Sequence, residues 1–234
     1  MKKAELAPVA LLLSFAVLMN AVAHRFPELW TAPAMAPSRP VLVIDPGHGG
    51  ADGGAVAPDG TEESGLNLAI ALRVEALCAL LGLESAMTRR TEELDYPPEA
   101  GTIREKKVAD SHARVELVNG LPGALLLSIH QNTYPGAGPR GLQVLYGPGE
   151  GSEALAEAVE RSVSALPEIS LRAAAPVPES VYLMKNVSCP AVLVECGFLS
   201  NPQDLERLKS DGYQKQLALC FAAAYMGYAA GSRQ

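Results

Sequence analysis

The chain of 234 residues is 48% hydrophobic and 19% charged, which suffices for one α/β domain with a sizeable core and is marginal for two. Its ordinary Gly and Pro content, beside plentiful apolar residues, excludes a disordered protein, a collagen and a coiled coil. The formal charge is −7, and the residues after position 40 carry 15 basic and 24 acidic side chains, a net charge of −9. Such an acidic chain argues against nucleic acid as a partner, because phosphate contacts need a basic surface.

The N-terminal residues have the pattern of an export segment. Two lysines precede an apolar run over 6–23, a layout that directs a chain out of the cytoplasm. The run ends in a small-x-small sequence that fits a cleavage site, yet its length approaches the roughly 20 residues that span a bilayer. Residues 1–23 are therefore predicted to be a signal peptide or an uncleaved membrane anchor, which places the protein outside the cytoplasm. Residues 24–40 contain four prolines and predict a stiff linker to a folded domain over 41–230.

The four cysteines are widely spaced, at positions 78, 189, 196 and 220. An exported protein can form disulfides, but Cys78 and Cys220 share helical stripes with apolar residues, which favours buried thiols over cross-links. No CxxC spacing occurs, so a thiolate zinc site is not predicted.

Short apolar runs alternate along the chain with segments whose apolar residues have helical spacing. The predicted strands are 41–45, 83–88, 124–129, 141–146, 180–184 and 191–196. The predicted helices are 64–82, 104–119, 152–165, 202–209 and 213–228. This alternation predicts a single α/β domain whose sheet of about six strands, mostly parallel or mixed, is covered by helices on both faces.

Two common catalytic patterns are missing from the sequence. It contains neither a G-x-S-x-G elbow nor a P-loop, so neither a serine hydrolase nor a nucleotide-hydrolysing enzyme is favoured. The candidate chemistry must come from other polar residues.

Two of the four histidines lie directly after predicted strands. The strand 41–45 stops at a glycine-rich turn that contains His48, and the strand 124–129 is followed by His130. Open α/β sheets bind their ligands at the carboxyl ends of the strands. One histidine on a turn is usually structural, but two at strand ends favour a metal site.

A carboxylate would complete this metal site. Two imidazoles and one carboxylate form a zinc-binding set that leaves one position open for water. Glu62 and Glu63, at the entrance to the predicted helix 64–82, are the candidates. The helix dipole also favours an acidic residue at that place. Spacing alone therefore decides neither whether an acid here binds metal nor which of the two residues would do so.

Glu195 is the second acidic residue of interest, because it lies inside the apolar strand 191–196. Burying an unpaired carboxylate costs several kcal/mol unless the group is protonated, hydrogen-bonded or facing a polar cavity. Such an acid is usually functional. The alternation of side chains along a strand places Glu195 towards the site and Cys196 on the other side of the sheet.

Four motifs in chain order resemble the zinc-dependent N-acetylmuramoyl-L-alanine amidases, which cleave peptidoglycan. They are V-I-D-P-G-H-G-G at 43–50, E-S-G-L-N-L at 63–68, S-I-H-Q-N at 128–132 and V-E-C-G-F-L-S-N at 194–201. The chain departs from the family at Ser64, where Lys is usual, and at Cys196, where an apolar residue is usual.

The resemblance implies a role for each candidate residue. His48, Glu63 and His130 would bind one Zn²⁺ per chain, and Glu63 is preferred to Glu62 because the family's acid lies four residues before the Asn of N-L. Glu195 would be the catalytic acid and base. We expect two further residues, Asp45 and Asn132, either to support the ligands or orient substrate, or only to shape their turns; His112 is expected to be structural.

The chain is short, has one N-terminal hydrophobic segment and contains M-T-R at 87–89 and D-S-H-A-R-V at 110–115. By these features it is most similar, within this family, to the germination-specific, spore-cortex type. The implied reaction is zinc-dependent hydrolysis of the amide bond between the lactyl group of N-acetylmuramic acid and L-alanine, leading to muramic-δ-lactam formation. The expected partners are peptidoglycan glycan strands with stem peptides, and a membrane or lipoprotein partner. Two alternatives stay open, namely a zinc peptidase that cuts stem peptides and an inactive wall-binding protein on the same fold.

Overall fold

The structure is a computed structural model that describes residues 40–167 and 169–231. The predicted export segment and nearly all of the predicted linker lie outside the described residues. The elements are, in chain order, β1 (Val41–Pro46), α1 (Glu63–Leu81), β2 (Ser85–Met87), α2 (Ile103–Asn119), β3 (Ala124–Asn132), β4 (Leu142–Tyr146), α3 (Ser152–Val163), β5 (Leu171–Pro176), α4 (Tyr182–Asn186), β6 (Ala191–Phe198), α5 (Pro202–Lys209) and α6 (Asp211–Gly231).

The six strands form one mixed sheet in the order β2-β1-β3-β6-β4-β5, which confirms the predicted fold class. Strands β2, β1, β3 and β6 are parallel neighbours. Strand β4 runs antiparallel to β6 and parallel to β5. The carboxyl ends of β1, β3 and β6 therefore lie side by side at one edge of the sheet.

Helices cover both faces of the sheet, as predicted. Alternate side chains of the central strands divide between two apolar clusters, because successive residues of a strand point to opposite faces. Ile44 of β1 packs in the larger cluster with residues of α1, α3 and α6. Val43, one residue earlier, packs in the smaller cluster with residues of α2 and α4.

One predicted strand is wrong and one strand was not predicted. The run 180–184 contains the start of helix α4, with Leu183 and Met184 both buried. A short apolar run does not by itself distinguish a strand from a buried helix. The fifth strand is instead Leu171–Pro176, whose alanines and terminal proline give it a weak strand pattern and suit its place at the sheet edge.

Helix α1 is the core helix that carries Glu63 as its first residue. Nine of its residues are buried, and it ends at Gly82, which has a left-handed φ of 65°. Within the described part of the chain, it is the one helix long and apolar enough to cross a membrane. Its buried face against the sheet accounts for that apolar composition.

All four cysteines are free thiols. Cys78 and Cys220 are buried in the larger apolar cluster, which confirms their prediction as small buried apolar residues. Burial raises the pKa of the Cys78 thiol to about 11, so this thiol stays protonated at neutral pH.

Candidate metal and catalytic site

His48, Glu63 and His130 lie together at the carboxyl edge of the sheet. Each offers one ligand atom, and the three atoms lie within 4.8 Å of one another. The parallel pairing of β1 with β3 brings the two histidines together, and the start of α1 brings Glu63 between them. Glu62 is exposed and lies outside the cluster, so the structure favours the acid that the family resemblance selected.

The Glu63 carboxylate is held from several sides and is only 3% exposed. Its Oε1 accepts hydrogen bonds from the backbone N–H of Gln131 at 3.0 Å and from Asn67 Nδ2 at 3.4 Å, and its Oε2 accepts from the backbone N–H of Ala55 at 2.9 Å. Nδ1 of His130 lies 3.0 Å from Oε1. Burial alone would raise the pKa of Glu63, but the hydrogen bonds and charges of the histidines hold it well below its usual range.

His48 is oriented by a residue that sequence analysis missed. Its Nδ1 donates to Oδ2 of Asp52 at 2.8 Å, so Nε2 faces Glu63 Oε2 at 3.3 Å. Oδ1 of Asp52 contacts Lys107 Nζ at 2.9 Å and accepts from the Gly54 N–H at 3.2 Å. Burial would lower the pKa of His48, but Glu63 and Asp52 together raise it to about 9. A carboxylate on the outer nitrogen of a histidine fixes the tautomer that a metal needs.

Two glycines leave space for these ligands. A Cβ atom on Gly47 would lie 2.2 Å from the ring of His130. A Cβ atom on Gly54 would lie 2.7 Å from Glu63 Oε2 and 2.8 Å from His48 Cδ2. Any larger residue at either position would therefore displace a ligand.

Two buried arginines hold the turn that carries His48, whose φ of 61° is unusual for a residue other than glycine. Arg89 donates to the carbonyl oxygens of Pro46 and Gly47, each at 3.0 Å. Arg114 donates to the carbonyl oxygens of Pro46 at 2.8 Å and His48 at 2.6 Å. These charged donors fix the backbone of the turn, and with it the position of the imidazole.

Asp45 lies beneath this turn and is 1% exposed. Its carboxylate accepts hydrogen bonds from Arg114 Nη1 and Thr88 Oγ1, both at 2.7 Å, and from Ser128 Oγ at 2.6 Å. Burial favours the neutral acid, but Arg114 and the two hydroxyl groups hold the pKa of Asp45 below its usual range. The structure thus connects Asp45 to the ligands through Arg114.

Glu195 lies directly beside the ligand cluster. It pairs in register with His130 on the neighbouring strand, while Cys196 is buried in the apolar cluster on the opposite face, as predicted. Oε2 of Glu195 is buried and has no hydrogen-bond partner within residues 40–167 and 169–231. Burial raises the pKa of Glu195 to about 7; the charge of His130 opposes this shift and that of Glu63 adds to it.

The other predicted residues lie farther from the ligands. Asn132 is half-buried at the end of β3, where its Oδ1 accepts from the N–H of Thr133 at 2.8 Å. His112 is exposed on α2, and its ring lies 5.0 Å from that of Tyr182. His112 does not belong to the cluster of ligand atoms.

The donor set of this site fits a zinc ion. Two imidazole nitrogens and one carboxylate oxygen are ligands that Zn²⁺ prefers, and three protein ligands leave one position for water or substrate. The unpartnered oxygen of Glu195 adds a group of raised pKa beside the ligand cluster, as acid–base chemistry requires. The arrangement is therefore suited to metal-assisted hydrolysis.

Comparisons with known proteins show the family to which the chain is similar. The N-acetylmuramoyl-L-alanine amidase family matches residues 42–225. The chain is 33% identical over 215 residues to the germination-specific N-acetylmuramoyl-L-alanine amidase of Bacillus subtilis, covering 90% of this chain and 89% of that relative.

Solved structures give the same result. The CwlD amidase from Clostridioides difficile, solved in complex with the GerS lipoprotein, has a TM-score of 0.75 and 29% identity over 82% of this chain and 99% of that chain. The amidase AmiC2 of Nostoc punctiforme has a TM-score of 0.70 and 29% identity over 82% of this chain and 98% of that chain.

Proposed function

Since the chain belongs to the N-acetylmuramoyl-L-alanine amidase family, we propose that it is a zinc-dependent amidase that acts on the peptidoglycan of the spore cortex. The amidase activity itself follows from family membership: the enzyme hydrolyses the amide bond between N-acetylmuramic acid and L-alanine in peptidoglycan. The dependence on zinc and the role in the cortex are the two parts of the proposal that go beyond family membership.

The observation that carries the zinc proposal is the cluster of His48, Glu63 and His130, with ligand atoms within 4.8 Å of one another. These three residues would hold the ion. Zinc bound there would act as a Lewis acid on the scissile carbonyl group and would make water a stronger nucleophile at neutral pH.

Glu195 performs the proton transfers in this proposal. Its carboxylate accepts a proton from the attacking water, whose oxygen forms a bond to the lactyl carbonyl carbon. When the C–N bond breaks, Glu195 returns the proton to the departing nitrogen of L-alanine. The products are a lactyl carboxylic acid on the glycan and a peptide with a free amino group. The raised pKa of Glu195, about 7, suits a group that must both take and give a proton near neutral pH.

The residues around the ligands keep this geometry. Asp52 fixes the ring of His48, and Asp45 acts through Arg114 on the carbonyl oxygens of the same turn. We assign both to the positioning of ligands. Asn132 is half-buried and close in sequence to His130, so it is assigned to contact with substrate.

The cortex role is supported by the similarity to a relative named as germination-specific. In this proposal residues 1–23 export or anchor the chain, 24–40 act as a linker, and the catalytic domain over 41–230 works outside the cytoplasm on glycan strands with stem peptides. The domain is acidic, with a net charge of −9 after position 40, so attraction to an anionic wall does not concentrate it there. An anchor or a lipoprotein partner would do so, and a related amidase has been solved with a lipoprotein.

Mass spectrometry of muropeptides digested by the purified, zinc-loaded protein tests the reaction. We expect peptide-free glycan and peptides with a free L-alanine amino group, and we expect a chelator to stop the reaction until zinc is restored. Cleavage inside the stem peptide would identify a peptidase instead, and binding without cleavage would identify a wall-binding protein.

A deletion strain tests the cortex role separately. We expect its spores to lack muramic-δ-lactam and to fail in germination. Normal lactam content and normal germination would refute the cortex role while leaving the amidase chemistry in place.

A further inference from the structure

A row of polar side chains crosses the sheet from the ligand cluster to an exposed arginine. His130 on β3 pairs in register with Glu195 on β6, which pairs with Gln143 on β4, which pairs in turn with Arg172 on β5. Directly paired residues on neighbouring strands project from the same face of a sheet. The residues next to them in each strand, Ile129, Val194, Leu142 and Leu171, pack in the apolar cluster on the opposite face.

Only the outermost residue of this row is exposed. His130, Glu195 and Gln143 are half-buried, whereas Arg172 is exposed. The sheet is therefore accessible beyond Glu195, across β4 and β5, to a molecule that extends from the site. Strands lie about 4.8 Å apart, so two strand spacings place the Cα atom of Arg172 about 10 Å from that of Glu195.

Arg172 is held in place but has no anionic partner among residues 40–167 and 169–231. Its guanidinium group lies over the ring of Phe198, 5.4 Å from the centroid, a favourable cation–π arrangement that limits its rotamers. No carboxylate in the described part of the chain lies within ion-pair distance of it. Three cations near the site, Lys107, Arg89 and Arg114, are by contrast bonded to protein acceptors.

We propose that Arg172, with Gln143 beside it, binds a carboxylate of the stem peptide during the amidase reaction. The inference rests on the amidase activity, in which the glycan side of the substrate offers hydroxyl and acetamido groups and the peptide side offers carboxylates. An arginine presents a fork of donors that matches a carboxylate. An extended peptide rises about 3.3 Å per residue, so a carboxylate that is not used in a peptide bond, on any of the first three residues, is within reach of Arg172.

The overall charge of the domain makes such a local cation necessary. The residues after position 40 carry a net charge of −9, which repels an acidic peptide at long range. Arg172 would reverse this repulsion where the peptide leaves the site, and would align the scissile bond with Glu195.

The test compares matched substrates with matched variants. Muramoyl peptides are prepared in pairs that differ only in whether one peptide carboxylate is free or amidated. The variant Arg172→Met is measured beside Arg172→Lys, which keeps the charge, and beside Arg161→Met, which removes an exposed arginine from α3 on the opposite face. Melting temperatures establish that each variant is folded.

We expect the wild type to prefer the free acid in one of these pairs. Arg172→Met should lower kcat/KM for that acid by ~10- to 100-fold, as expected for a lost hydrogen bond to a charged group, and leave the amide unchanged, so that the preference disappears. Arg172→Lys should restore part of the preference, and Arg161→Met should behave as wild type.

Several outcomes would overturn the inference. The first is a wild type that does not prefer the free acid in any pair of substrates. The second is an Arg172→Met variant that keeps the wild-type preference, and the third is a variant whose kcat/KM falls equally on the acid and the amide. The same assay separates this failure from failure of the amidase function, because a wild type that leaves the muramoyl–alanine bond intact contradicts the function itself.

Discussion

The ligand cluster and Glu195 are neighbours, but their carboxylates are built in opposite ways. The Glu63 carboxylate contacts both histidines and accepts hydrogen bonds from two backbone N–H groups. The Glu195 carboxylate, one strand away, has a buried oxygen without a partner in the described part of the chain. Both oxygens of Glu63 accept hydrogen bonds, whereas Oε2 of Glu195 accepts none in the described part of the chain.

This difference suits Glu63 to binding an ion and Glu195 to transferring a proton. Donors around Glu63 keep its pKa low and its position fixed, which is what a metal ligand needs. Desolvation without donors raises the pKa of Glu195 to about 7 and leaves a lone pair free for a proton. In the proposed mechanism these two neighbouring carboxylates have separate roles, set by their surroundings.

Removal of a ligand should have the largest effect on this arrangement. We expect His130→Ala to reduce zinc from about one ion per chain to almost none and to abolish activity, because two ligands cannot retain the ion. Metal analysis of the purified protein measures this, with His112→Ala, an exposed histidine on α2, as the control. Full zinc content in the alanine variants of His48, Glu63 and His130 alike would refute the site.

Glu195→Gln should have the next largest effect, since the amide has nearly the same shape but cannot accept the proton. We expect turnover to fall by about 10²- to 10⁴-fold, the range for a lost general acid–base group, while zinc content stays at the wild-type level. Glu157→Gln, an exposed glutamate on α3, is the matched control. A nearly normal kcat would remove Glu195 from the mechanism.

The buried arginines provide the third test, because they hold the His48 turn without touching an ion. Arg114→Met leaves the Asp45 carboxylate buried and unpaired, and we expect the free energy of unfolding to fall by about 3–5 kcal/mol. Denaturant unfolding measures the loss. The double variant with Asp45→Asn and Arg114→Met should lose less free energy of unfolding than the two single variants added together, since the two residues share one interaction. Strict additivity would show that the contact carries no coupling energy.

The fold was largely predictable from sequence because five of the six strands have strong apolar patterns. Strand β5 is not predicted because its alanines and proline have little strand propensity. The sequence predicts a strand where α4 begins, because a short apolar run fits both a strand and a buried helix. Edge elements depend on the strand beside them more than on their own residues.

The site was predictable where its residues lie in compact motifs. His48, Glu63, His130 and Glu195 each follow a local pattern, and the structure brings them together; their zinc and proton-transfer roles stay predictions. The buried arginines were missed because their acceptors are about 40 to 70 positions away along the chain, and no local pattern records such a contact. Asp52 has a local signal, because it is an acid four residues after His48. This signal indicates a hydrogen-bond partner for the histidine and not a metal ligand.

Asp52→Ala sharpens the distinction between a ligand and its support. The outer nitrogen of His48 would lose its acceptor, and we expect zinc affinity to fall by about 10- to 100-fold, without the complete loss expected for a ligand. Competition with a chelator of known affinity measures the change. Asp59→Ala, an exposed acid paired with Lys209, is the control, and an unchanged affinity in Asp52→Ala would contradict the orienting role.

The smallest expected effect, about tenfold for a change of one pH unit, is the dependence of activity on pH. It tests the Glu195 carboxylate directly. Glu195 must begin the reaction as the carboxylate, and burial raises its pKa to about 7. Activity should therefore fall about tenfold per pH unit once the pH drops below the pKa of Glu195 in the zinc-loaded enzyme. The measurement is kcat/KM against pH at saturating zinc, with zinc content checked at each point. The residual activity of Glu195→Gln should lack this acid limb, because the amide does not titrate; an identical acid limb in the variant would assign the titration to another group.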